Sequence, residues 1–186
     1  QTSHRTNKLP VKLDRISLPA PAKINLFLHI TGRRPDGYHQ LQTLFQLLDY
    51  GDQLDILRRD DATLRITPSH PTIAEKDNLV YRAATALQHQ AVQKNPLCQY
   101  GADIQLTKHL PLGGGLGGGS SDAATALVYL NKQWDLNLSY EALRELAAAL
   151  GSDVPFFLTG GTCLGTGRGE NITVLSSLPK HWVVLI

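Results

Sequence analysis

Pro111-Leu112-Gly113-Gly114-Gly115-Leu116-Gly117-Gly118-Gly119-Ser120-Ser121 decides how this chain is read, because six of the seven residues 113–119 are glycine. A glycine in a helix interior costs roughly 1 kcal/mol, so the segment is expected to be a loop. It follows a strand pattern over residues 102–108 and runs into Ser120-Ser121-Asp122 and an Ala/Leu-rich stretch expected to be helical to about Trp134. A backbone without Cβ atoms can turn several successive N–H groups toward one point, and the helix N-terminus adds partial positive charge. Together they suit a polyphosphate. The dipole supplies only about 0.3–1 kcal/mol, so most of the grip has to come from converging N–H groups, and a side chain at Gly117 is expected to fill the phosphate volume. A Walker A loop needs Lys and then Ser or Thr after its last glycine; Gly119 is followed by Ser120, and the loop holds no lysine. Residues 113–118 spell G-x-G-x-x-G, but so many glycines match almost any such pattern, and no βαβ unit with a closing acidic residue follows. A flexible Gly/Ser linker would not sit between a strand and an amphipathic helix.

Upstream, Ile24, Leu26, Leu28 and Ile30 alternate with Lys23, Asn25, Phe27 and His29, which predicts a strand over 22–30 with one core face and with Lys23 and Asn25 on the other. Arg33-Arg34-Pro35-Asp36-Gly37 predicts a turn before a second extended run over 38–48. Short strands are expected over 54–57 and 64–67, and a helix capped by Asp77 with Val80, Ala84, Leu87 and Ala91 on one face, ended by Asn95-Pro96. Downstream, Ser139 is expected to cap a helix with Leu138 and Leu143 as a hydrophobic staple, Leu143, Leu146, Ala147 and Leu150 as its buried stripe and Gly151 as its stop. Extended pieces over 156–159 and 162–164 and a second glycine cluster follow. Runs of strands before helices, without strict alternation, point to an α+β layered domain with mostly antiparallel pairing.

With 186 residues, 42% hydrophobic and 18% charged, the chain reads as globular, neither disordered nor disulfide-built. Eighteen Lys and Arg against sixteen Asp and Glu leave a formal net charge of +2, too small for a nucleic-acid or membrane-surface footprint. Cys98 and Cys163 lie far apart, which excludes a disulfide framework and a C-x-x-C motif and fits a reducing cytoplasm. No apolar run approaches the roughly 20 residues of a membrane span. Methionine is absent even at position 1, so Gln1 is expected to be a processed or truncated end; residues 1–17 read as a frayed tail, and 182–186 as a strand that stops without turn chemistry.

Several residues invite a chemical reading. Asp153, just after Gly151, is either a general base or the N-cap of a short turn. Lys23 is either an active-site cation or a snorkelling strand lysine, and Asn25 shares its face. Lys108, leading into the glycine loop, can reach a phosphate or stay solvated. Ser120 and Ser121 can offer hydroxyls to phosphate or cap the helix, and Asp122 reads as a first-turn acid complementing the dipole. The histidines lack ligand spacing such as H-E-x-x-H, so no protein-held metal is indicated.

The spelling Pro-x-x-x-Gly-Leu-Gly-Gly-Gly-Ser-Ser resembles the second motif of the GHMP kinases. Pro21-Ala22-Lys23-Ile24-Asn25-Leu26 with Arg34-Pro35-Asp36-Gly37-Tyr38-His39, and Gly151-Ser152-Asp153-Val154-Pro155, resemble the amino-terminal signature and catalytic aspartate segment of the branch acting on 4-diphosphocytidyl-2-C-methyl-D-erythritol. The resemblance covers residues 18–186. It implies a GHMP-kinase N-terminal domain, of the ribosomal protein S5 domain 2-like fold, over 18–178, with 179–186 starting a C-terminal α+β domain whose glycine-rich third motif is absent from this chain. It also implies ATP-dependent phosphorylation of the substrate's 2-hydroxyl in the non-mevalonate isoprenoid route, with Mg²⁺ carried by ATP. By this resemblance Asp153 is the base and Lys23 the active-site lysine. The resemblance further implies that residues 111–121 bind ATP, that Asn78 lies near the adenine and that Tyr38 and His39 hold the cytosine; by position, Lys108 at the strand end is expected to join the ATP site and Asn25, beside Lys23, to face the hydroxyl. The expected partners are this cytidine-diphosphate substrate, without nucleic acid or membrane, for a cytoplasmic monomer or homodimer. A mevalonate-type or homoserine kinase is the nearest alternative, against which Lys23-x-Asn25 and Tyr38-His39 speak. A non-catalytic nucleotide-binding module is the more distant one.

Overall fold

Two long strands, β1 (Ile16–Arg33) and β2 (His39–Arg59), form an antiparallel hairpin that carries the rest of the sheet. A computed structural model describes residues 15–35, 37–68, 74–97 and 99–186; most of the expected tail, Asp36 of the turn, and Cys98 lie outside them. There follow β3 (Leu64–Pro68), a 3-10 turn (Glu75–Asp77), α1 (Leu79–Lys94), β4 (Gly101–Thr107), α2 (Gly118–Gln133), α3 (Tyr140–Leu150), α4 (Val154–Thr159), β5 (Thr162–Gly167) and β6 (Asn171–Val174). The strand order is β3-β4-β2-β5-β6, with β1 paired to β2. β1 lines one edge of β2, while β4 pairs along 53–59 and β5 along 41–46 of the other. Among the described residues only β3 and β4 run parallel, so the α+β, mostly antiparallel expectation holds.

The core lies between this sheet and its helices. Ala20, Leu54, Ile56, Ala102, Ile104 and Leu106 meet Val80, Ala84 and Leu87 of α1 and Ala123, Ala124, Leu127 and Leu130 of α2. Burying each of the larger side chains contributes about 1.5–3 kcal/mol. The many alanines let helices and sheet approach closely. A smaller cluster, Phe45, Phe156 and Cys163, forms beneath α4, its two rings stacked at 4.8 Å. Among the described residues, no helix is long and apolar enough to cross a membrane.

Several local expectations are corrected. The strand expected over 54–57 is not separate: β2 runs through Gly51-Asp52 without a break, because β1 stays paired on both sides of that point. Ile24, Leu26, Leu28 and Ile30 do not form a core face: Leu28 is 50% and Ile30 61% exposed, whereas Lys23 is 5% exposed. A register shift between Asn25 and Phe27 pairs Asn25 with Phe45 and Leu28 with Thr43, so the bulge brings Leu28 onto the face that carries Asn25. Residues 156–159 are helical, not extended; Pro155 in the first turn supplies a helical φ, and burial of Phe156 overrides its strand preference. Asn78, not Asp77, caps α1, its side chain accepting from Val80 N. The helix after the glycine loop begins at Gly118, so Gly118 and Gly119 are already helical. Ser139 caps α3 through Ala142 N and Gly151 ends it, as expected; of the expected stripe Leu143 and Ala147 are buried and Leu146 and Leu150 partly buried.

β1 leaves no room for a side chain at Gly51 of β2. A Cβ there would overlap the backbone of Ala20 and come 2.5 Å from Pro21 Cα. Gly51→Ala is therefore expected to destabilise the protein by about 1–3 kcal/mol, read as a lower midpoint in thermal unfolding.

Candidate active site

The glycine loop is tied to β1 at one point. The backbone N–H of Lys23 donates to Leu116 O at 2.9 Å, which anchors the loop beside the strand carrying the lysine. Gly113 and Gly115 have φ of +72° and +73°, and a Cβ on either would meet open space. Gly117, the N-cap of α2, has φ +72° and offers no side-chain cap; Gly117 O accepts from Ser121 N at 2.9 Å. The N–H groups before Ser121 have no intrahelical acceptor, so the start of α2 presents donors beside a flexible glycine backbone. A Cβ on Gly117 would lie 2.7 Å from Phe157 Cζ and 3.0 Å from Lys23 Cγ. A side chain there would press on Phe157 and the Lys23 stem.

Lys23 and Asp153 come together as anticipated. Lys23 Nζ is 3.3 Å from Asp153 Oδ2, and the side chains are 6% and 31% exposed respectively. The ammonium is enclosed and the carboxylate is open to an incoming molecule. Asp153 precedes α4 but makes no side-chain cap, so its oxygens are not committed to the helix. Lys23 Nζ also donates to Asn25 Oδ1 at 2.6 Å, Asn25 Nδ2 donates to Thr43 Oγ1 at 2.7 Å, and Thr43 Oγ1 donates to Phe27 O at 2.7 Å. This relay fixes the Asn25 amide with its oxygen toward the lysine. The Phe45 ring lies 5.4 Å from the ammonium, a further cation–π restraint. Gly165 makes room for that ring, since a Cβ there would come 2.6 Å from Phe45 Cε2.

Tyr38 is 57% exposed and precedes His39, the first residue of β2, which pairs with Arg33. The Arg168 guanidinium lies 5.1 Å from the Tyr38 ring, and a Cβ on the next residue, Gly169, would come 3.9 Å from Asp153 Oδ1. One turn between β5 and β6 thus lies beside both the aromatic residue and the carboxylate. Asn78 is 5% exposed and serves as the α1 cap.

Lys108 points inward. Its Nζ bonds Asp52 Oδ2, and lies 2.8 Å from Asp122 Oδ2. Asp122 is not a first-turn acid: with α2 starting at Gly118 it falls in the second turn, buried. Ser120 and Ser121 do not cap the helix either, a place taken by Gly117. Among the described residues, Ser121 Oγ and Asp122 Oδ1 are buried without a hydrogen-bond partner. Burial pushes Asp122 up to about 7, Lys108 opposing and Asp52 adding to the shift. Burial is also the largest influence on Lys108 and favours its neutral amine, but Asp122 and Asp52 together hold its pKa above the ordinary value. Sequence reasoning missed Asp52, Thr43, Phe45 and Arg168; an acid inside an otherwise amphipathic strand was the available signal for Asp52. A carboxyl whose folded pKa is raised favours folding below its ordinary range and loses that contribution as pH climbs toward 7. Asp122→Asn is expected to match the parent in thermal unfolding near pH 4 and to exceed it at pH 8, by an amount on the order of a few kcal/mol.

Residues 78–161 match the GHMP kinases N terminal domain. The chain is 52% identical over 173 residues to a 4-diphosphocytidyl-2-C-methyl-D-erythritol kinase of Mannheimia succiniciproducens, covering 93% of this chain and 55% of the relative. It is 48% identical to the protein of that name from Haemophilus influenzae, covering 100% of this chain and 56% of the relative. Among solved structures, a 4-(cytidine 5'-diphospho)-2C-methyl-D-erythritol kinase superposes with a TM-score of 0.75 at 39% identity, over 88% of this chain and 56% of that one. A Methanococcus jannaschii mevalonate kinase superposes at 0.61 with 12% identity, over 88% of this chain and 56% of that one, a likeness of fold alone. The chain spans between half and two thirds of the length of these relatives. A glycine loop bonded to the strand of Lys23, an aspartate facing that lysine and the match of residues 78–161 agree in likening this chain to the GHMP kinases.

Proposed function

We propose that the protein carrying this chain transfers the γ-phosphoryl group of ATP to the 2-hydroxyl of 4-diphosphocytidyl-2-C-methyl-D-erythritol. The observation that carries the reading is the 3.3 Å contact of Lys23 with Asp153, on a strand whose backbone is bonded to the glycine loop. Phosphoryl transfer asks little covalent work of a protein and much positioning. In this reading ATP supplies the phosphoryl group, with Mg²⁺ arriving on it, and residues 111–121 receive its phosphates through backbone N–H groups at the start of α2. Asp153 accepts the hydroxyl proton as that oxygen attacks the γ-phosphorus, and ADP departs. Lys23 favours the oxygen as negative charge develops on it, a contribution that counts only if stronger in the transition state than in the ground state. Asn25, its amide held by Thr43, orients the hydroxyl. The exposed Tyr38 ring stacks on the cytosine, worth roughly 1–3 kcal/mol, and His39 offers a polar edge. Residues 18–178 form the catalytic amino-terminal domain, and 179–186 lead into the remainder of a cytoplasmic enzyme.

Replacing Asp153 by Ala in the longest natural chain bearing this sequence is expected to lower turnover by about 10²–10⁴-fold while ATP affinity stays within a few-fold. Turnover retained in the variant would remove Asp153 as base. A companion assay with acceptor alcohols lacking the cytidine group is expected to show little phosphorylation, and equal turnover would shift the reading to another small-molecule GHMP kinase.

A further inference from the structure

Both ends of the glycine loop converge on one buried side chain. Asp52 Oδ1 accepts from His109 N at 2.6 Å and Leu110 N at 2.8 Å, the two residues immediately before Pro111. Its Oδ2 receives Lys108 Nζ, which extends to Asp122 Oδ2 in α2. The same Oδ2 would stand 2.9 Å from a Cβ on Gly118, where α2 begins. Beside it, His109 Nδ1 is 2.9 Å from Gly51 O. One carboxylate therefore holds the segment entering the loop and, through a lysine, the helix leaving it. The Asp52 side chain is 0% exposed, so no nucleotide in the loop can touch it.

We infer that Asp52 is a positioning residue for nucleotide binding, setting the spacing between the entry of the glycine loop and the start of α2 without contacting the nucleotide. Fixing one residue's backbone costs about 1–2 kcal/mol of conformational entropy, and a loop of glycines has more freedom to lose than most. Anchoring both ends before the nucleotide arrives reduces what binding itself must order. Charge-assisted bonds from successive N–H groups to one carboxylate are directional enough for this. An apolar contact, sufficient for stability alone, would leave the two N–H groups free to turn. Lys108, which sequence reasoning offered as a phosphate contact, is here the link between Asp52 and α2.

The inference rests on the proposal that the loop binds ATP, and its test separates the two. In the longest natural chain, Asp52→Asn and Lys108→Gln would be compared with the parent for KM of ATP, KM of the alcohol, kcat, thermal midpoint and, without nucleotide, amide hydrogen exchange over residues 109–121. Asp52→Asn is expected to raise KM for ATP about tenfold or more, to leave KM for the alcohol within about twofold, and to accelerate exchange over 109–121 while core strands stay protected. Lys108→Gln, which keeps the two N–H bonds, is expected to accelerate exchange mainly over 117–121, and it decides the matter if Asp52→Asn does not fold. Unchanged exchange in that loop, or equal rises in both KM values with a general loss of protection, would overturn the positioning role. Failure of the parent itself to bind ATP would overturn the loop's assignment as a phosphate site, while the exchange measurement would still report whether Asp52 fixes the loop.

Discussion

Lys23 is held at both ends, and the site depends on that. Its backbone N–H is bonded to Leu116 of the glycine loop, while its ammonium lies between Asn25 and Asp153. A single residue thereby links a strand, the glycine loop and the start of α4. Strand alternation puts Lys23 and Asn25 on the same face as Thr43 and Phe45 of β2, where Lys23, Asn25 and Thr43 are hydrogen-bonded in series, and the register shift between Asn25 and Phe27 turns Leu28 onto that face as well.

Two lysines of the site end in contrasting surroundings, and the contrast sorts their roles. Lys108 faces two buried carboxylates, Asp52 and Asp122, with more negative than positive charge in a place water does not reach. Such a cluster is stiff because each buried polar group is costly to leave unpaired, which suits it to hold main chain. Lys23 faces a carboxylate that is 31% exposed. That pair keeps one side open, so a third polar group can approach without dismantling a sealed network. The two clusters lie on opposite sides of the same loop, Gly117 packing toward Lys23 and Gly118 toward Asp52. Consecutive glycines are needed because side chains at these positions would point into both.

The sequence made the glycine loop, the α3 helix and the Lys23–Asp153 pairing legible for different reasons. The loop is a local composition with few alternative explanations. α3 carries its own cap, stripe and stop. The lysine–aspartate pair, 130 residues apart, was reachable through family resemblance alone, since no periodicity links residues so distant. Local rules failed where tertiary contacts decide. β2 reads as two strands until one sees that β1 pairs with it from His39 to Ile56; α4 reads as a strand until Pro155 and the burial of Phe156 are weighed together. An acid within a strand marks Asp52 as unusual, but its partners lie more than fifty residues on, just after β4, so the strand pattern does not tell which N–H groups it meets.

The unequal exposure of Lys23 and Asp153 bears on how such a pair can help a reaction. A salt bridge closed on both sides stabilises its own ground state, and that stabilisation must be surrendered when a proton moves. With the ammonium enclosed by Asn25 and the Phe45 ring, Lys23 cannot follow Asp153 if the carboxylate shifts or takes up a proton. In the proposed reaction, protonation of Asp153 weakens its hold on the ammonium at the moment charge grows on the attacking oxygen. The lysine's field is then redirected toward that oxygen without moving the lysine, which satisfies the demand that stabilisation be greater in the transition state than before it. The relay through Asn25 and Thr43 matters for the same reason: a fixed cation needs no reorganisation to act.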